Sequence, residues 1–284
     1  LGGGKTAMDV GVWLLQAGAD PDGITWVCPR DSWLINRETT QPGAAFFDRS
    51  TGAFATQLEA MKDAASVEEL FERLEAADVM LRIDPTTRPS MFHYATISRG
   101  EVEELRRIRN VVRQGHVARI SSERMIMTNG ASVAADTDTL YVDCTATAVQ
   151  FVGARTKPIF SGDRITIQAV RAPLVATSAA LIAFVEANYD SDAVKNHLCT
   201  PVELSDTPAE WLKSFLCNLM NQDRWSREPR IREWFAGCRL NPSHRMPGDR
   251  ESPDAAQAAI AERIKNSIGP AMANIQQLLS DKAH

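Results

Sequence analysis

The chain has 284 residues, of which 44% are hydrophobic and 24% charged, and its formal net charge is −5. This is the composition of a globular protein long enough for one large domain or two ordinary ones. The acidic balance argues against nucleic acid as a partner, because phosphate-backbone binding shows as a basic excess, but it leaves room for a local basic pocket around one phosphate-bearing cofactor.

Leu1-Gly2-Gly3-Gly4-Lys5-Thr6-Ala7 opens the chain with a glycine-rich turn. A helix is expected from about Lys5 to Gln16, with an apolar face of Ala7, Val10, Val12, Trp13, Leu14 and Leu15 and a glycine C-cap at Gly18. Asp20-Pro21-Asp22-Gly23 has turn chemistry, and Ile24 to Cys28 reads as a buried parallel strand. Turn, helix, turn and strand make up most of a βαβ unit. From about residue 40 to 114 the pattern is helical, with heptad-like spacing over Phe54–Leu81 and a charged helix over Gly100–Val112 read as a solvated face.

The period then changes to two. His116–Ile120 is a strand, and Asn129-Gly130 joins Arg124–Thr128 to Ala131–Ala135 as a type I′ hairpin. Leu140–Cys144 is a further buried strand ending in Thr145-Ala146, and Arg164–Val170 is another. Helices follow at Ser178–Tyr189, Pro208–Met220, Glu228–Cys238 and Pro253–Leu279. The expected fold class is α/β: a parallel-sheet, Rossmann-like FAD/NAD(P)-binding domain with a β-meander, plus a helical C-terminal region. The expected division is residues 1–147 for NAD(P)H binding with a helical insertion at about 40–114, 148–200 for the remnant of an FAD-binding domain, and 201–284 for the helical region.

Gly2-x-Gly4-x-x-Ala7 is the GxGxxA form of a dinucleotide fingerprint. The first glycine makes the turn, the second admits the pyrophosphate, and small Ala7 lets the helix pack on the sheet. Gly3 lies within the same turn, and Lys5 and Thr6 add a charge and a hydroxyl. The rival reading is a P-loop nucleotide hydrolase, with Gly4-Lys5-Thr6 as the tail of GxxxxGK[ST] and Asp143 as a magnesium ligand. A third reading is a non-catalytic fragment. In the dinucleotide reading, the residue after the second strand selects the cofactor. Arg30 there, with Arg37 as a second candidate, points to the 2′-phosphate of NADP, while Asp31 is a competing ribose acceptor.

These residues, with the segment Ile24–Trp33, the strand Leu140–Cys144 with Thr145-Ala146, and the run Pro158–Phe160 through Gln168–Arg171, resemble the flavoproteins with two dinucleotide-binding domains. The resemblance is to flavin-containing monooxygenase-like and pyridine nucleotide-disulfide oxidoreductase-like proteins, and covers the chain to about Tyr189. It implies NADP and FAD as cofactors, hydride transfer from NADPH to FAD, an unidentified small-molecule substrate and, in some members, monooxygenation. It implies that the chain starts at the second glycine motif, without the N-terminal FAD unit. Thr145 and Ala146 then mark the return to the flavin domain, where Thr145-Ala146-Thr147 replaces the usual glycine, and Asp163, after Ser161-Gly162, takes a flavin ribityl contact; the alternative reading of Asp163 is a turn aspartate capping the strand that follows.

No catalytic residue stands out, which suits chemistry performed by cofactors. The histidines His93, His116, His197, His244 and His284 are scattered, and the tryptophans of the tail read as packing residues. The five cysteines are widely spaced and without a CxxC pair, which favours idle thiols in a reducing compartment over disulfides or a metal site. With no signal peptide and no bilayer-length apolar run, a cytoplasmic protein without membrane contact is expected.

Overall fold

A computed structural model describes residues 1–41, 44–147, 156–240 and 255–280. The chain is mixed α/β. In chain order its elements are α1 (Lys5–Gln16), β1 (Thr25–Val27), β2 (Leu34–Asn36), α2 (Phe47–Asp63), α3 (Val67–Ala76), β3 (Met80–Leu81), β4 (Thr96–Ile97), α4 (Arg99–Leu105), β5 (Asn110–Val112), β6 (Val117–Ile120), β7 (Arg124–Met127) and β8 (Ser132–Ala134). Then come β9 (Phe160–Ser161), β10 (Arg164–Ile165), α5 (Val175–Asn188), α6 (Asp192–Leu198), α7 (Pro208–Arg227), α8 (Pro229–Gly237) and α9 (Ala255–Ser280). The chain divides into two compact units: Leu1–Arg37 with the described part of Met80–Val149, and Glu38–Val79 with the described part of Gln150–His284.

In the first unit α1 buries Ala7, Met8, Val12 and Leu15. Gly11 lets α4 approach, since a Cβ there would lie 2.8 Å from Leu105 Cδ2. The helix ends as the glycine C-cap predicts: Gly18 has φ +90°, its amide donates to Leu15 O, and Ala19 N donates to Leu14 O. Strand β1 pairs in parallel with β5, Trp26 opposite Val111 and Val27 opposite Val112. On its other side the Gly2 amide donates to Val27 O. The Leu1 amine donates to Val142 O and Cys144 N donates to Leu1 O, the alternation of a parallel pair centred on Asp143. Leu1-Gly2 therefore runs between β1 and residues 142–144. A second small sheet has β2 between antiparallel β3 and parallel β4. Strands β6, β7 and β8 form the antiparallel meander.

Several local expectations change. Leu140–Cys144, expected as a buried strand, forms no named strand: Val142 O and Cys144 N bond to Leu1, but Leu140 is 85% exposed and Val142 39%. The charged helix stops at Leu105, and Asn110–Val112 is strand, because Val111 and Val112 complete the pairing with β1. The Asn129-Gly130 hairpin forms, but with three loop residues. Met127 N donates to Ala131 O, Gly130 N donates to Met127 O, and only Gly130 has positive φ, at +86°. That is a type I turn closed by a glycine bulge, favoured here by the Asn129 side chain accepting from Ala131 N. The strand expected over Arg164–Val170 covers only Arg164–Ile165. Beyond it the Gln168 side chain donates to Lys157 O and accepts from Lys157 N, taking the place of backbone pairing.

In the second unit α2 and α9 run in the same direction side by side. Asp48 accepts from Gln257, Glu59 accepts two bonds from Arg263, and Asn274 Nδ2 satisfies the last carbonyls of α2 at Met61 and Ala64. Trp211 on α7 packs edge-on against Phe71 of α3 and Phe215, and Phe215 meets Phe54 of α2. A separate core forms from Phe160, Val170, Leu181, Val185, Trp225 and Ile231, among others. The start expected for the last helix, Pro253, lies outside the described residues; the described helix begins at Ala255. No helix of the described residues is long and apolar enough to cross a membrane.

Candidate functional site

The glycine turn lies at the carboxyl edge of the parallel-paired segments, where the chain leaves Leu1-Gly2 and enters α1. Each glycine answers a different contact. Gly2 has φ +126°, and a Cβ there would lie 2.8 Å from Cys144 O. A Cβ on Gly3 would lie 2.6 Å from Arg30 O. A Cβ on Gly4, the N-cap of α1, would meet nothing within 4 Å among the described residues beyond its own chain neighbours, so the space above it is open. It offers no side-chain cap, and the first turn of α1 carries no acidic residue. The helix end thus keeps its positive dipole and its backbone donors for an anion. Trp26 Nε1 donates to Gly2 O at 2.8 Å and fixes the turn from below.

The turn, the end of β1 and the end of segment 142–144 meet at this edge. Gly3 faces Arg30 and Cys28, and Gly2 faces Cys144, immediately before Thr145 and Ala146. The Asp143 carboxylate accepts from the Thr145 amide and hydroxyl, which hold its pKa below the ordinary aspartate value. Thr6 is exposed and Ala7 buried. Lys5 does not hang over the turn: its ammonium pairs with Asp9 and lies 3.4 Å from Glu101. Arg37 joins the same carboxylate at 3.0 Å. Asp163 belongs to the second unit, where it is exposed and Gly162-Asp163 is the two-residue turn between β9 and β10 with Gly162 at φ +60°.

Two residues of this edge were not singled out from sequence. Glu101 is the N3 carboxylate of a capping box on α4, accepting from the amide and hydroxyl of Ser98. Burial acts to raise its pKa, but the Ser98 bonds and the Lys5 and Arg37 charges outweigh it and hold the group at about 2. The Ser98-Arg99-Gly100-Glu101 spacing is the signal that could have found it. Arg113 is the first residue after β5, as Cys28 is after β1. It makes a forked pair with Asp31, at 2.7 and 3.0 Å, and reaches Asp84 at 3.0 Å. Asp31 is thereby engaged by a cation from the neighbouring strand end.

The Asp84 carboxylate is held at about 2, first by the Thr86 hydroxyl and amide, against burial, with help from Thr87 and Arg113. Both Asp84 and Glu101 are carboxylates lowered in the folded state. Their contribution is full above the ordinary carboxylate range, near pH 4.5, and is lost as pH falls toward 2. A melting-temperature series should fall through that window, and Glu101→Gln combined with Asp84→Asn should flatten it. An unchanged slope in the double variant would contradict the pairing.

Burial pushes the Cys28 thiol up to about 12, reinforced by Asp31 and opposed by Arg113 and the bond to Arg30 O. Cys199 is pushed up to about 12 by burial alone. Both should resist a disulfide reagent at pH 8 in the folded chain and react once it is unfolded. Rapid labelling of Cys28 in the native state, read by mass spectrometry, would contradict this packing. Among the described residues no group of three or more His, Cys, Asp and Glu is placed to hold a metal ion. His244 and His284 lie outside them.

Comparison with known proteins finds close sequence relatives without an assigned activity. Uncharacterized proteins of Mycobacterium bovis and of two strains of Mycobacterium tuberculosis are each 44% identical to this chain over 264 residues. The match covers 93% of this chain and 48% of each relative, so the chain spans about half the length of the curated relatives it matches. No protein-family profile and no solved structure matches.

Proposed function

We propose that this chain carries the NADPH-binding part of a flavin-dependent oxidoreductase, of the flavin-containing monooxygenase-like kind, in which a hydride passes from NADPH to FAD. The observation that carries the reading is the order of the parallel-paired segments: 110–112, 25–27, 1–2, 142–144. Numbered along the chain, that is 3-2-1-4, the order of a doubly wound dinucleotide fold, with the ligand crevice at the carboxyl edge. The meander of β6, β7 and β8 falls between the third and fourth of these segments, in keeping with the resemblance noted above.

In this reading Gly2, whose amide is bonded to Val27 O, shapes the turn, and the backbone donors from Gly3 to Ala7, at an uncapped helix end, face the pyrophosphate. Gly4 leaves the approach open. Arg30 takes the 2′-phosphate, and Arg113 supports NADP over NAD by withdrawing Asp31 from the role of ribose acceptor. Arg37 and Lys5 neutralise Glu101 and keep the rim of the site from turning acidic. Thr145 and Ala146 flank the crevice on its far side, where the flavin role of the resemblance would fall. Bound there, the nicotinamide supplies the hydride and the flavin accepts it, while the protein orients the pair. The engagement of Lys5 by Asp9 and Glu101 argues against the P-loop reading, which needs that ammonium on the phosphates.

Calorimetric titration with NADPH, NADH and Mg·ATP tests the proposal. NADPH should bind at least about tenfold more tightly than NADH, and Arg30→Ala should erase that preference, as loss of a charge-assisted phosphate contact requires. Equal affinities in the wild type would remove the NADP assignment. Binding of Mg·ATP alone, lost in Lys5→Ala, would replace the proposal with the P-loop reading.

A further inference from the structure

The second unit contains an open cleft of 360 Å³ lined by Arg171, Gln222, Trp225, Ser226, Arg232 and Phe235. Three elements build it. Gln222, Trp225 and Ser226 sit at i, i+3 and i+4 of α7, and Arg232 and Phe235 at i and i+3 of α8, so each set shares one helix face. The third wall is the extended segment around Arg171.

That segment is clamped from outside. Asn221 Nδ2 donates to Val170 O, and Ser178 Oγ accepts from the amides of Val170 and Arg171. Asn218 accepts from Ala172 N and donates to Ala172 O. Arg171 is thus held at the root of its side chain by α5 and α7. Its guanidinium makes a long bond, 3.5 Å, from Nη2 to Gln222 Oε1. Among the described residues no carboxylate forms an ion pair with it, and burial pulls its pKa below the ordinary arginine value. Arg232 is exposed at the mouth and likewise forms no ion pair among the described residues. A part-buried guanidinium without a counter-charge is an unfavourable arrangement that an anion relieves.

The remaining walls set the body of that anion. Trp225 is buried, with its Nε1 spent on Leu198 O at 2.7 Å, so the small part of it that reaches the cleft is apolar ring. Phe235 lies 5.5 Å from it, centroid to centroid. We propose that this cleft binds a small aromatic carboxylate: the planar carboxylate against the Arg171 fork, the ring resting on the outer surface of the packed Trp225–Phe235 pair, and Arg232 closing the mouth. A guanidinium matches a carboxylate with two parallel donors, and a cleft of 360 Å³ that sets two arginines beside aromatic surface suits a one-ring anion. The site is separate from the glycine turn and does not rest on the dinucleotide reading.

The test is titration of the full chain with sodium benzoate, neutral benzamide and inorganic phosphate, followed by tryptophan fluorescence and calorimetry. Benzoate should bind saturably, benzamide at least about tenfold more weakly, and Arg171→Gln should lose at least about tenfold in benzoate affinity. Arg232→Gln, an exposed position, should lose less. Should Arg171→Gln fail to fold by circular dichroism, the benzoate-to-benzamide ratio and Arg232→Gln decide. No saturable benzoate binding below about 10 mM, equal binding of benzamide, or phosphate binding more tightly than benzoate would each overturn the proposal.

Discussion

Gly3→Ala is expected to lose both stability and dinucleotide binding. The new methyl would lie 2.6 Å from Arg30 O and 3.2 Å from Cys28 Sγ, and the nearer atom is backbone that cannot rotate away. Relief requires the turn and the end of β1 to separate, which moves Arg30 from the site it is proposed to serve. Overpacking of this kind costs about 1–3 kcal/mol. Gly2→Ala adds a conformational term, since φ +126° is a region that side chains rarely occupy, and its methyl meets Cys144 O at 2.8 Å. That variant should lose roughly 2–5 kcal/mol. Gly4→Ala is the control, because among the described residues its methyl meets nothing within 4 Å beyond its chain neighbours. It should fold with little change and still lose NADPH affinity, the methyl occupying the space the pyrophosphate needs. Thermal melts with paired NADPH titrations separate the three. A Gly4→Ala variant that binds NADPH as the wild type does would remove the cradle from the account.

The second large effect lies in the other unit. Trp211→Ala should cost about 3–5 kcal/mol, the range for deleting a buried large aromatic side chain. Trp211 is 5% exposed and stands edge-on to Phe71 at 5.3 Å and Phe215 at 5.5 Å, so its removal strips contacts from both α3 and α7. Urea unfolding should show the loss, with Trp211→Phe recovering part of it. A change below about 1 kcal/mol would mean that this aromatic junction is not what secures α3.

The parts legible in sequence were those decided by near neighbours. The glycine turn, α1 with its Gly18 cap, and β1 follow from residues within a few positions of one another, and each forms close to the expected bounds. The hairpin at Asn129-Gly130 was visible as a hairpin, but its turn type depended on whether Asn129 also took positive φ, and only Gly130 does. Asn110–Val112 was read as helix because its charged upstream neighbours have helical spacing; pairing with Thr25–Val27, far away in sequence, decides otherwise. The site divides in the same way. Gly2 to Ala7 and Arg30 could be named from local pattern, and the geometry gathers the turn, Arg30, Thr145 and Ala146 at one edge. The partners that set its charge could not. Arg113 reaches Asp31 across 82 positions and Arg37 reaches Glu101 across 64. The resemblance gives Asp163 a flavin contact, while its local sequence offers a turn aspartate before a strand; it falls on the turn between β9 and β10, in the second unit.

The most direct measurement is hydrogen exchange on the amides of residues 2–8, followed by mass spectrometry in the absence and presence of saturating NADPH. Slowed exchange across the turn and the first turn of α1, weaker with NADH and absent with Mg·ATP, is the result expected. Protection there by Mg·ATP with none from NADPH would contradict it.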